Sequence, residues 1–120
     1  MAGKILIVDD SVLVRRQVGM ALTNAGYATV DAIDGQDATT KVSNDTAMIV
    51  CDVNMPRMNG IELLEHLAGN PGTSQIPVVM LTTEGQPEMI QRAKALGAKY
   101  WLVKPFKSEL LLAVVKKFVA

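Results

Sequence analysis

Apolar residues in this chain fall into short continuous runs, each ended by a polar side chain. Ile5-Leu6-Ile7-Val8 ends at Asp9-Asp10, Met48-Ile49-Val50-Cys51 at Asp52, Val78-Val79-Met80-Leu81 at Thr82, and Trp101-Leu102-Val103 at Lys104. Runs of this length, rich in Val, Ile and Leu, read as strands covered on both faces. With the stretch after Tyr27, the expected strands are residues 4–8, 28–32, 47–52, 77–81 and 100–103. Helical spacing separates them. Val14, Val18, Leu22 and Ala25 step by about four and end at Gly26, a suitable residue just past a helix end. Asp34 stands as a cap before Gly35-Gln36-Asp37, and Ile61, Leu64 and Leu67 mark a third helix ending near Gly69. Pro87 can open a fourth helix and Gly97 close it, and Ser108 caps a fifth over residues 109–119.

Five strand–helix alternations predict a single α/β domain: a doubly wound parallel sheet with helices on both faces, because each crossover is right-handed. In such sheets ligands bind at the carboxyl ends of the strands. That edge is where Asp9, Asp10, Asp52, Thr82 and Lys104 stand. Three carboxylates gathered there ask for a cation, and the hydroxyl and ammonium beside them make the set more specific than any one member.

Composition narrows the reading. A chain of 120 residues with 49% apolar content is large enough for a core without staples. The stretch before Asp9 lacks the apolar region of a signal peptide, and no run approaches the ~18 apolar residues of a membrane span. Cys51 is the only cysteine, so no internal disulfide can form; it reads as a small core residue, and a cytoplasmic location is expected. Neither the Walker pattern nor G-x-G-x-x-G occurs, and there is no cysteine cluster for zinc. No nucleic-acid partner and no membrane insertion are expected, and a monomer is. His66 reads as a structural residue of the third helix, and the Met residues as core filler.

The chain resembles response-regulator receiver domains. The resemblance rests on Asp9-Asp10, the run Asp52-Val53-Asn54-Met55-Pro56-Arg57-Met58-Asn59-Gly60, the pair Thr82-Thr83 and Lys104-Pro105-Phe106, and it covers essentially residues 1–120. The wording Asn54-Met55-Pro56 and Thr82-Thr83-Glu84 is most similar to stand-alone chemotaxis regulators of the CheY type. The resemblance implies a (βα)5 flavodoxin-like fold with strand order 2-1-3-4-5, which would set Asp9, Asp10 and Asp52 side by side at the switch point of the sheet. It also implies a cis peptide bond between Lys104 and Pro105.

The implied function is a phosphorylation-activated switch of a two-component system, here in chemotaxis or flagellar motor control. Asp52 would accept a phosphoryl group from a histidine kinase, a covalent route open to a carboxylate. Asp10 would ligate Mg2+ directly and Asp9 mainly through water, with Asp52 and the backbone carbonyl of Asn54 completing the protein ligands. Lys104 supplies a point charge for one phosphoryl oxygen and Thr82 a hydroxyl for another. Ser11 or one of the two preceding acids can instead cap the first helix, and Thr83-Glu84-Gly85-Gln86 matches a capping-box spacing for the fourth. Trp101 occupies the switch position where the family usually has Tyr or Phe, and an indole donates only through its ring N–H.

A second class of protein draws on the same residue types. A Mg2+-dependent phosphatase with an aspartyl nucleophile needs a similar set, but Asp9-Asp10-Ser11 lacks the Asp-x-Asp spacing of the haloacid-dehalogenase type, and no insertion is long enough for a substrate cap. No small-molecule turnover is therefore expected. Within the receiver class, a phosphorelay intermediate or a receiver from a longer regulator are the alternatives.

The zero net charge hides a polarity: residues 1–88 carry about −6 and residues 89–120 about +6 by formal count. Along the fifth helix, Leu110, Leu111, Leu112, Val114, Val115, Phe118 and Val119 fill an arc of about 200°, wider than the ~100° a surface helix needs to cover a sheet. With Arg92, Lys94, Lys99, Lys107, Lys116 and Lys117 around it, this face of helix 4, strand 5 and helix 5 is expected to bind a downstream protein with an acidic segment.

Overall fold

The structure is a computed structural model that describes residues 3–55, 57–82 and 87–119. Its elements follow in strict alternation: β1 (Lys4–Val8), α1 (Val12–Asn24), β2 (Thr29–Ala32), α2 (Gly35–Lys41), β3 (Thr46–Asp52), α3 (Gly60–Ala68), β4 (Val78–Thr82), α4 (Pro87–Ala95), β5 (Tyr100–Val103) and α5 (Ser108–Phe118). The strands form one parallel sheet in the order β2-β1-β3-β4-β5, as the resemblance implied.

The apolar runs divide by alternation into two cores. Leu6, Val8, Ile49, Cys51 and Met80 face α2, α3 and α4, where Ala38, Leu63, Leu64, Leu67 and Ala93 meet them. Ile5, Ile7, Met48, Val50, Val79 and Leu81 face the other way, against Val18 and Leu22 of α1 and Leu111, Val114 and Val115 of α5. In the central strands β1, β3 and β4 the apolar run therefore has no polar-facing side, which is why these runs are unbroken.

Local signals end the elements largely where expected. Gly26 and Gly97 take φ of +96° and +100° just past α1 and α4, a region a Cβ disfavours. Ser11 caps α1, its hydroxyl accepting the Val14 N–H at 3.3 Å, and the Asp34 carboxylate accepts the Asp37 N–H at 2.8 Å to cap α2. One helix start carries a cap beyond those expected, and another differs from expectation. Asn59 and Glu62 form a reciprocal capping box at the start of α3. At α5, Ser108 is not the cap but the first helical residue; Lys107 is the N-cap, its extended backbone offering its carbonyl to the N–H groups of Leu110 and Leu111 without a side-chain cap. The helix also ends at Phe118, because Val119 returns to an extended conformation. The capping box expected at Thr83 lies outside the described residues. The Lys104–Pro105 bond is cis.

Candidate functional site

Strand register brings the polar run-ends together. Val8 is level with Cys51, Asp52 with Leu81, and Thr82 with Val103, so Asp9, Asp52, Thr82 and Lys104 stand within one step of each other along the sheet edge. The switch point between β1 and β3 lies at the centre. There Asp9, Asp10 and Asp52 each present a carboxylate oxygen within 4.8 Å of the others.

Each acid is held differently. Asp9 is buried; its Oδ1 accepts the Ser11 N–H at 2.8 Å and its Oδ2 accepts from Lys104 Nζ at 2.9 Å. Its backbone carbonyl accepts from the Arg15 guanidinium at 2.6 Å, and Arg15 also pairs with Asp31 at 3.5 Å. Asp10 is exposed. Asp52 is only 5% exposed, with Lys104 Nζ 3.4 Å from its Oδ1. Burial, and then the charge of Asp9, push the Asp52 carboxyl above the usual carboxylate range, against the pull of Lys104. For Lys104, burial works to lower the pKa, but the hydrogen bond to Asp9 and the charges of Asp9 and Asp52 outweigh it and raise it. Lys104 is therefore a fixed cation. Thr82 is buried at the end of β4, and Asn54 is exposed two residues beyond Asp52.

Three carboxylates against one ammonium leave an excess of negative charge in a half-enclosed place. All the donors are hard oxygens, the set that suits Mg2+, and a divalent cation would relieve the repulsion from Asp9 that, after burial, raises the Asp52 carboxyl. The residues fit the group.

Of the other residues read from the sequence, His66 is exposed on α3 and Cys51 is buried, its thiol pushed far up by burial. Arg92 does not belong to the basic face: its guanidinium turns to Glu65 on α3 at 2.8 Å, in a groove shared with Glu62, Glu88 and Met89. Lys94, Lys99, Lys107, Lys116 and Lys117 are exposed. Of the wide apolar arc on α5, Leu110 alone is exposed, at 44%; Tyr100 and Val103 of β5 are exposed as well. Trp101 is half-buried against the core with Ala93, Leu96 and Ala98, and its ring N–H is buried with no acceptor among the described residues.

Two further residues of the run from Asp52 to Gly60 support the site. Gly60 packs so closely that a Cβ would lie 2.4 Å from the Asp52 carbonyl oxygen. Arg57, at φ +60°, forms an ion pair with Asp34 of the β2–α2 loop.

Known proteins share this chain's pattern over nearly its whole length. Residues 5–116 match the family described as the response regulator receiver domain, and the chain belongs to that family. It is a phosphorylation-activated switch of two-component signalling, of the CheY type. The chain is 36% identical over 111 residues to chemotaxis protein CheY1 of Helicobacter pylori, covering 90% of each chain. Against the probable chemotaxis protein CheY of Rhizobium etli it is 34% identical over 115 residues, covering 94% of this chain and 89% of the relative. Among solved structures, CheY4 of Vibrio cholerae superposes with a TM-score of 0.91 at 40% identity, covering 98% of this chain and 99% of the other.

Proposed function

We propose that this receiver takes a phosphoryl group from a histidine kinase onto Asp52, with Mg2+, and then binds a chemotaxis partner in the cytoplasm. The observation that carries this reading is Lys104 placed between Asp9 and Asp52 beside a cluster of three carboxylates. When bound through Asp9, Asp10, Asp52 and the Asn54 carbonyl, the cation supplies neutralisation of phosphoryl oxygen charge. An Asp52 carboxylate oxygen forms the new bond to phosphorus as the bond from phosphorus to the kinase imidazole breaks, and the electron pair leaves with the ring nitrogen. Lys104 turns from the two carboxylates to a phosphoryl oxygen, and the Thr82 hydroxyl donates to another. The task is positioning and charge stabilisation.

The surroundings favour a protein as phosphodonor over a small ester. Val12 and Leu13, just after the Asp pair, are exposed, and a cavity of about 260 Å3 lined by Val14, Gln17, Lys104, Pro105 and Phe106 lies beside them. A helical donor domain covering this apolar rim would exclude water as the transfer proceeds. An aspartyl phosphatase would need a substrate cap, for which the chain has no insertion.

For output, the reading is the face of α4, β5 and α5, without Arg92. Its exposed Tyr100, Val103 and Leu110 are rimmed by Lys94, Lys99, Lys116 and Lys117, a surface suited to an acidic, partly apolar segment. Trp101 couples the site to this face. Trp101 packs against Ala93, Leu96 and Ala98, and it repacks there when Thr82 is drawn to the phosphoryl group.

The test is a phosphorylation-dependent pull-down from the source cell with native protein, Asp52→Asn, and a variant with Lys94, Lys99, Lys116 and Lys117 all changed to Glu. The reversed variant should be phosphorylated at the native rate yet lose at least about 100-fold in partner affinity, given that like charges across an interface cost several kcal/mol. Unchanged affinity with normal phosphorylation would place the output elsewhere.

A further inference from the structure

The loop that follows Asp52 is tied down at three points. At its base the Gly60 N–H donates to the Val53 carbonyl at 3.0 Å. In its middle the Met58 carbonyl accepts the Gly35 N–H at 2.9 Å, an approach that a Cβ on Gly35 would block at 2.4 Å from that oxygen. Beside this contact the Arg57 guanidinium places Nε at 2.8 Å from Asp34 Oδ2, with Nη2 on the same oxygen. Asp34 is 1% exposed whereas Arg57 remains 60% exposed on its side chain, so the pair joins a buried anchor to a surface residue.

The backbone of Arg57 makes this pairing informative. It is the only non-glycine residue with positive φ among the described residues, at +60°. An L-residue in the left-handed region is strained, and glycine would be the undemanding choice there. A side chain kept at such a position in spite of the strain points to work done by that side chain. The Asp34 carboxylate is a firm partner: the hydrogen bond from the Asp37 N–H holds its pKa down against burial, with the Arg57 guanidinium adding to it.

We propose that Arg57 is a positioning residue for the metal site: its guanidinium, carried on a left-handed backbone, latches the chain at residues 57–58 to Asp34 and Gly35 and thereby restricts where the Asn54 carbonyl stands. The inference rests on the reading of Asn54 as a ligand. Groups that orient a metal ligand without touching the ion affect metal affinity strongly, because they restrict the ligand before the ion arrives.

The test removes the latch without leaving a bare charge. In Asp34→Asn/Arg57→Gly, Asn still caps α2, no carboxylate is left unpaired, and glycine relieves the left-handed backbone. Mg2+ affinity is measured by titration calorimetry, alongside the metal-free thermal midpoint and the rate of phosphoryl uptake from acetyl phosphate. The expected result is a midpoint close to native, a dissociation constant for Mg2+ weakened about tenfold, and a native uptake rate once Mg2+ is saturating. Arg57→Lys keeps a cation on Asp34 and guards against a folding defect in the double variant; its affinity should fall between the two. Native Mg2+ affinity in either variant overturns the latch while leaving the site reading intact. A native chain that binds no Mg2+ overturns both.

Discussion

Asp52→Asn is expected to take up no phosphoryl group from an acyl phosphate and, free of metal at neutral pH, to melt higher than the native chain. The first result follows because the amide lacks a carboxylate nucleophile. The second follows from the cost of ionising Asp52 in place. Its folded pKa lies above the reference value of 3.8, first through burial and then through the charge of Asp9. Between that reference and the raised folded value the native state holds a proton that the unfolded chain has lost, so stability falls as pH rises through this window. Asparagine has no such transition. The advantage of the variant should therefore be absent below the window and complete at neutral pH. Lys104 keeps its 2.9 Å contact with Asp9, so the substitution strands no cation. Each ~1 kcal/mol of relief moves the midpoint of a domain of this size by roughly 4 °C. Calorimetry of both proteins in chelator, at pH values below and above the window, decides the point. A variant that melts at or below native at neutral pH would contradict this view of the site's electrostatics.

The second large effect is that of Mg2+ on stability. An ion that binds the carboxylate cluster only in the folded state stabilises the native protein by about 2.7 kcal/mol at 100 times its dissociation constant. That corresponds to a rise in midpoint of roughly 10 °C. Asp10→Asn removes an exposed acid from the cluster without touching the Lys104 contacts. It should raise the metal-free midpoint and shrink the increment produced by Mg2+. A midpoint indifferent to Mg2+ in the native chain would count against the cluster as a metal site.

Both effects depend on the residues that are most legible in the sequence. The apolar runs and their polar ends can be read directly, since a strand buried on both faces tolerates no polar residue until its carboxyl end, as Val8 gives way to Asp9 and Cys51 to Asp52. Helix rotation is another matter. Position on α4 groups Arg92 with the lysines of the basic face, but its partner is Glu65, 27 residues away. Which way a residue on a short helix points depends on packing that periodicity alone does not resolve. The same limit hides the Arg57–Asp34 pair, which spans 23 residues and joins two loops. Ser108 misleads because a serine before an apolar run is a strong capping signal, whereas α5 begins one residue earlier on the Lys107 carbonyl. The Asn59–Glu62 capping box is within reach of sequence reading, since its spacing is a recognised signature.

The central claim is that Asp52 carries the phosphoryl group, and it is tested most directly on the native chain by locating that group. After incubation with acetyl phosphate and Mg2+, borohydride reduction converts an aspartyl phosphate to homoserine, which peptide mass spectrometry assigns to a position. The expected result is homoserine at residue 52 alone, formed only when Mg2+ is present. Reduction at Asp9 or Asp10 in its place, or a borohydride-resistant phosphate on Thr82, Ser11 or His66, would contradict it.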